Sequence, residues 1–215
     1  MKIKDLIKNL LLNYKISIIM LSILKKILSF FDRIEYFYLE SKLRNNSVVQ
    51  TGPFEGLKYP LIKSYGSVFW PKITGVYESQ IHKHILNFKK KNYDQVINIG
   101  AGEGYYAVGL ALMFPRTKIL AIDINKDALK FVSDMAKLNN VQDRIDLNDN
   151  SEKIFDLINP NSRNLIICDC EGSEFKIFNE DNAKMLKNSD IIVEMHYPGN
   201  IKDCSTIGKD FIKKL

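Results

Sequence analysis

Residues 96–125 read VINIGAGEGYYAVGLALMFPRTKILAIDIN, and the order of residue types along them decides the fold. The short apolar run Val96–Ile99 predicts a buried strand. Gly100, Gly102 and Gly104 follow at alternate positions, and a helical pattern then runs from Tyr105 to Phe114. A second apolar run, Lys118 to Ile124, carries Asp123 near its end. Strand, glycine turn, helix, strand and carboxylate together make half of a doubly wound nucleotide-binding sheet. Each part has a physical role. Glycine takes φ > 0 without penalty and lets a ligand approach the backbone. A helix N-terminus offers free N–H groups. A carboxylate at the tip of the next strand can accept hydrogen bonds from two ribose hydroxyls.

Downstream the alternation continues. Asn125 is placed to cap a helix through Leu138, with Leu129, Val132, Met135 and Ala136 at helical spacing. Arg144 to Leu147 reads as a third strand ending in Asn148, Asp149 and Asn150, and residues 151–158 as a weak helix. Leu165 to Cys168 is a fourth strand, Phe175 to Leu186 a helix, and Ile191 to Met195 a fifth strand. The expected fold is therefore α/β, a mostly parallel Rossmann-like sheet. Upstream, residues 1–45 form an N-terminal helical region. Residues 46–90 form a lead-in or cap, with turn signals at Gly52, Pro53, Gly56, Pro60, Gly66, Pro71 and Gly75 and short strand-like pieces between them. Tyr77 to Lys90 reads as a helix, with Ile81, Ile85, Leu86 and Phe88 on its apolar side. Residues 91–215 are the binding core.

Composition narrows the class. The 215 residues suit one domain with a sizeable core, and the net charge of +6 mildly favours acidic partners. Lys89, Lys90 and Lys91 are expected to be a solvated helix end that complements the dipole there. Cys168, Cys170 and Cys204 are odd in number and lack the spacing of a disulfide framework, which fits reduced thiols in the cytoplasm. In residues 3–31 lysines interrupt a strongly apolar run, and the uncharged stretch Ile16–Leu24 is too short to span a bilayer. Those residues pack on the core or lie on a membrane surface as a basic amphipathic helix.

Ligands in parallel sheets sit at the carboxyl ends of the strands, so chemistry is sought there. The fourth strand ends IICDCEGSEF, placing Asp169, Glu171 and Glu174 close together. The fifth ends IIVEMHYPG, placing Glu194 and His196 on the same rim. Charged groups at the ends of buried strands need partners or a use. Asp169 and Glu174 could also simply cap the helix that follows.

The glycine spacing separates ligand classes. Dinucleotide enzymes favour G-x-G-x-x-G, whereas G-x-G-x-G here resembles motif I of the class I methyltransferases, which bind S-adenosylmethionine (SAM). Asn98 stands where that family usually carries an acid, two residues before the first glycine. The run D-x-E-G-x-E (Asp169, Glu171, Gly172, Glu174), the E-x-H ending (Glu194, His196), the lead-in GPFEGLKYP and the YES of GVYESQIH resemble the FkbM-type methyltransferases. The resemblance covers roughly residues 50–200 and implies O-methylation of a hydroxyl on a sugar, glycan or small natural product. It implies that Gly100, Gly102 and Gly104 line the methionine and ribose of SAM and that Asp123 holds the ribose. Asn148 and Asp149 would lie near the adenine, and Asp169 and Glu171 would face the methyl group and the acceptor.

An alcohol needs help to become a nucleophile. Asp169, Glu171 or His196 could take its proton, with Glu194 beside them. A divalent metal held by the carboxylates could instead lower its pKa, and the residue types leave both open. Tyr105, Tyr106 and Tyr197 are candidates for stacking on a ring. Two other readings stand beside this one. The charge suggests an N-methyltransferase acting on nucleic acid or protein, but the N-P-P-Y-like motif common in such enzymes is replaced by DCEG, so no nucleic acid is expected. The segment after the fifth strand, NIKDCSTIGKDFIKKL, has no room for the closing hairpin of a full class I sheet. That predicts an exposed edge able to pair in a homodimer, or a weakly active SAM-fold remnant that binds a partner.

Overall fold

The computed structural model describes residues 47–150 and 154–196. The chain separates into two compact units, Met1–Asn46 and Ser47–Leu215, and every described residue belongs to the second. The expectations for residues 1–45, for a membrane-surface helix at 3–31, for Tyr197 and Cys204, and for the missing hairpin lie outside the described residues, as do residues 151–153. No described helix is long and apolar enough to cross a membrane.

Five parallel strands form the sheet: β1 (Gln95–Ile99), β2 (Lys118–Ile122), β3 (Ile145–Asn148), β4 (Asn164–Cys168) and β5 (Ser189–Val193), in the order β3-β2-β1-β4-β5. The apolar runs explain the order. β1, β2 and β4 are buried along almost their whole length, as strands covered on both faces must be. β3 and β5 alternate or half-expose their side chains and take the edges. Ile97, Ile99, Leu120, Ile122, Ile166 and Phe178 meet in the core on one side of the sheet.

Six α-helices are described: α1 (Phe69–Thr74), α2 (His82–Phe88), α3 (Tyr105–Met113), α4 (Lys126–Leu138), α5 (Glu174–Ile177) and α6 (Glu180–Ala183). α3 is buried all round from Tyr105 to Ala111 because the lead-in covers the side turned from the sheet: the Phe54 ring packs edge-on against Tyr105 and Tyr106. α4 is amphipathic, and the Asn125 side chain caps it by accepting from Asp127 N at 3.0 Å and Ala128 N at 3.4 Å.

Several expected elements differ for local reasons. The helix expected over Tyr77–Lys90 starts later, because Glu78 sits in the left-handed region (φ 48°) and only a 3₁₀ turn, Ser79–Ile81, precedes α2. On α2 only Ile85 is buried, and Leu86 is exposed. The single helix expected from Phe175 to Leu186 is broken at Asn179. That residue is extended, and its side chain caps α6 by accepting from Asn182 N at 3.1 Å. Of the weak helix expected at 151–158, the described residues hold a 3₁₀ turn, Phe155–Leu157. The lead-in holds one isolated antiparallel bridge, Val48 to Lys58, and the helix α1, which the turn signals hid. Lys91 is more than a helix-end charge: its Nζ crosses to Asp190 on β5 at 2.8 and 2.9 Å.

Candidate active site

A cavity of about 670 Å³ opens across the carboxyl ends of β1, β2 and β4. It lies where the strand order reverses about β1, the position at which open α/β sheets bind ligands. One end is built by the glycine turn. Gly100 has φ 74° and Gly102 φ 52°, and a Cβ on Gly100 would overlap the backbone carbonyl of Asp169. Only glycine lets the ends of β1 and β4 come that close. Asp123 faces this turn: Oδ2 accepts from Gly102 N and Oδ1 from Asn125 N, each at 2.8 Å. Ile124, Asn125, Ala128 and Phe155 line the neighbouring wall.

Other residues of the glycine region have different surroundings. Gly104 (φ 99°) does not line the cavity; it precedes α3, where a Cβ would press on the methyls of Val132 and Val108 at 3.2–3.3 Å, so it serves close helix packing. Asn98 is buried within β1, donating to Ile167 O at 3.4 Å. Asn148 and Asp149 are not among the lining residues either. Asn148 Oδ1 accepts from Asn150 N at 2.7 Å, and Asp149 is an exposed partner of Lys126 at 3.2 Å.

The residue between the second and third glycines, Glu103, was not singled out by sequence. It is 1 % exposed and forms a salt bridge with Lys72, itself 4 % exposed. Glu103 also accepts from Tyr65 N at 2.9 Å, Ser64 Oγ at 3.0 Å and Tyr59 OH at 3.4 Å. The Lys72 ammonium lies 4.7 Å from the Tyr77 ring centre and 5.6 Å from that of Tyr105. The glycine turn is thereby bolted to the lead-in, which supplies Tyr65, Gly66, Ser67, Lys72 and Tyr77 to the cavity wall.

The opposite end is acidic. Asp169 and Glu171 line the cavity, whereas Glu194 and His196 stand behind them. His196 Nε2 lies 3.5 Å from Glu171 Oε2, 3.8 Å from Asp169 Oδ1 and 4.0 Å from Glu194 Oε1. A further carboxylate, Glu78, joins this group from the lead-in and is held by the Tyr106 hydroxyl. Burial, reinforced by the Glu194 charge, pushes the Asp169 carboxyl up to about 6. Burial and the Glu78 charge also raise Glu194. Burial would lower His196, but its bond to Glu174 and the surrounding carboxylates outweigh that and raise it. Asp169, Glu171 and His196 each bring one donor atom within 4.8 Å of the others, as do Glu78, Asp169 and Glu194, a spacing that could hold a cation.

Tyr105 and Tyr106 are buried at the start of α3 with cavity-lining atoms, their hydroxyl pKa values raised by burial and then by Glu78. Cys168 is buried and Cys170 half-buried on the cavity wall, with their sulfurs 3.6 Å apart.

A parallel sheet in this order, a glycine turn after β1, an acid at the tip of β2 and a cavity across the strand ends define a Rossmann-like class I methyltransferase fold. The TRM5/TYW2 methyltransferase domain model matches residues 61–203, well over half of the chain. The chain belongs to that methyltransferase family; the match does not extend to the FkbM subtype. Among curated proteins no sequence match is found. Solved structures of similar trace include the O-methyltransferase TomG from Streptomyces achromogenes, solved with SAM, at 15% identity and TM-score 0.42, covering 50% of this chain and 51% of that one. The SAH-bound methyltransferase PaMTH1 of Podospora anserina aligns at 16% identity and TM-score 0.44, covering 54% and 51%. An O-methyltransferase from Bacillus cereus, in complex with SAH, aligns at 16% identity and TM-score 0.41, covering 50% and 52%. The chain spans about half the length of these three proteins.

Proposed function

We propose that the chain is a SAM-dependent methyltransferase that methylates a hydroxyl oxygen on a sugar, glycan or small natural product. The observation that carries this reading is the polarity of one cavity: a glycine turn with Asp123 at one end and paired acids, Asp169 and Glu171, at the other. SAM fits the first end by its chemistry. Backbone N–H groups of the turn suit its polar amino-acid part, Asp123 suits the ribose hydroxyls, and Ile124 and Phe155 offer apolar surface to the adenine. When bound, SAM supplies a methyl group on a sulfonium leaving group. The chain's task is then to align the acceptor and remove its proton. Asp169 suits that task, since burial holds its pKa near neutrality, where a general base works best. Glu171 offers a second acceptor for a neighbouring hydroxyl.

A second reading, methylation of a nucleic acid, is favoured by the family match and by the net charge of +6. The acids crowding the acceptor end count against a phosphate-bearing substrate there, and no N-P-P-Y-like motif follows β4. Peripheral membrane contact, pairing through the β5 edge, a bound divalent metal and a non-catalytic binding role are further readings of the sequence.

The test is calorimetric titration of the full chain with SAM and its demethylated product, with Asp123→Ala as control. Saturable binding weakened at least about tenfold in the variant, as loss of charged hydrogen bonds implies, is expected. Radiolabelled methyl transfer is then screened on glycans, small polyols and RNA. Unchanged affinity in Asp123→Ala would refute the cofactor placement, and transfer to RNA alone would refute the hydroxyl-on-sugar reading.

A further inference from the structure

Unlike Asp169, Glu171 and Glu194, the carboxylate of Glu174 is completely shut away from solvent. Its oxygens gather donors from two parts of the chain. Oε1 accepts from Gly172 N at 3.1 Å, Cys170 N at 3.2 Å and the Cys170 thiol at 3.4 Å. It also meets His196 Nδ1 at 3.1 Å, while Oε2 accepts from His196 N at 3.4 Å. Closing the turn that leads into α5 accounts for the bonds to Cys170 and Gly172. It does not account for His196, which arrives from beyond another strand.

We propose that Glu174 is the positioning residue of the acceptor end: it ties down the Cys170–Gly172 turn and, by holding Nδ1 of His196, sets where Nε2 stands relative to Asp169 and Glu171. This rests on the methyl-transfer reading above. The chemistry of the pair fixes the ring. An ionised carboxylate can only accept, so Nδ1 must carry a hydrogen and Nε2 is turned toward the acids. The turn held by the same carboxylate carries Glu171 in the left-handed region at φ 54°, a conformation that persists only where the surroundings enforce it. Asp169 lines the cavity with Glu171 beside it, and the imidazole, when it carries its second proton, stands behind them as a counter-charge 3.5–3.8 Å from the two acids. A second histidine gives an internal contrast. His82 Nε2 lies 2.8 Å from the carbonyl oxygen of Tyr77, an acceptor, so His82 carries its hydrogen on Nε2.

The chain has 3 histidines, so two-bond ¹H–¹⁵N spectra of the imidazole rings resolve each tautomer in the full protein. His196 is assigned from the spectrum of His196→Gln, and data are taken at alkaline pH, where the rings are neutral. The expected result is an Nδ1–H ring for His196 and an Nε2–H ring for His82. Glu174→Gln keeps a carbonyl acceptor and retains the Nδ1–H form; Glu174→Ala loses it. A wild-type His196 in the Nε2–H form would overturn the proposal, as would a folded Glu174→Ala chain that keeps Nδ1–H. Should Glu174→Ala fail to fold, Nδ1–H in both wild type and Glu174→Gln supports the proposal, and Nε2–H in either overturns it. A SAM titration on the same samples separates the two ideas: a chain that binds no SAM refutes the methyl-transfer reading, while the tautomer still reports on Glu174.

Discussion

Replacing Glu103 with Gln removes one charge from a pair that is almost wholly out of water. Lys72 would be left 4 % exposed, with an ammonium facing Ser64 Oγ at 3.1 Å and the Tyr77 ring at 4.7 Å. Breaking a buried ion pair from one side costs about 3–5 kcal/mol, because the remaining charge is desolvated without compensation. The aromatic faces recover part of this, about 0.5–2 kcal/mol for a cation over a ring. The expected loss is therefore at the lower end, about 3 kcal/mol. For a chain of this size that lowers the midpoint of thermal unfolding by roughly 6–12 °C. Chemical denaturation of wild type, Glu103→Gln, Lys72→Met and the double variant measures it as a cycle. The double variant removes both charges and is expected to recover at least half of the loss. SAM affinity falls in both variants that carry Glu103→Gln and less in Lys72→Met, since the Glu103 carboxylate holds Tyr65 N and thereby the lead-in wall of the cavity. A single-variant cost under about 1 kcal/mol, the range of an exposed pair, would refute the idea that this pair bolts the glycine turn to the lead-in.

Three further outcomes follow from the site. Asp169→Asn is expected to bind SAM as wild type does and to lose turnover, and wild-type turnover should fall as pH drops through about 6, where the carboxyl takes up its proton; full turnover in the variant, or a flat profile, would remove Asp169 from the chemistry. Glu174 is held down to about 2 from an ordinary 4.5: burial opposes ionisation, but the Gly172 N–H, His196 and the Cys170 thiol outweigh it. A depressed carboxyl stabilises the fold above its unfolded pKa, so denaturation midpoints should fall between pH 4.5 and about 2, and less steeply in Glu174→Gln. Gly100→Ala is expected not to fold to the native state, since its Cβ would overlap the Asp169 carbonyl at a positive φ, whereas Gly172→Ala meets no atom within 4 Å, is strained only by its own φ of 108°, and should fold with a smaller loss in thermal unfolding.

The glycine turn, Asp123 and the gathering of Asp169, Glu171, Glu194 and His196 at one rim were legible in the sequence; what the lead-in adds to the cavity was not. Val96 to Asp123 announces strand, turn, helix, strand and acid in order, and the structure keeps that order with strand ends moved by one or two residues. Glu103 escaped notice because its partners lie 31 to 44 positions away in the lead-in. A carboxylate between two glycines of a ligand-binding turn was the one available signal, since it would repel an anionic ligand unless something neutralised it. Glu78 was read only as part of a resemblance, and its left-handed backbone has no composition signature in a glutamate. Glu174 was read both as part of the acidic run and as a helix cap, and only the parallel pairing of β4 with β5 brings His196 to it.

The net charge of +6 points one way, and the acidic rim of the cavity points the other, toward the acceptor proposed above. Of the two lysines on the cavity wall, Lys72 and Lys176, the first is already neutralised by Glu103. At the acceptor end Asp169 and Glu171 are joined by Glu78 and Glu194, with His196 as the counter-charge. A phosphate brought to about 4 Å from one such carboxylate would meet a repulsion of about 4 kcal/mol at the effective dielectric near a protein surface. That is comparable to the whole advantage of many specific contacts. A neutral polyol meets the opposite situation, because each hydroxyl it brings is a donor and each carboxylate there is an acceptor. A nucleic acid could be served only if its backbone ran about 8 Å or more from the rim, beyond the screening length, and a neutral base alone entered. The acceptor screen therefore separates two geometries as well as two substrates: transfer to a small neutral polyol needs only the described cavity, whereas transfer to RNA would require a basic track leading up to it.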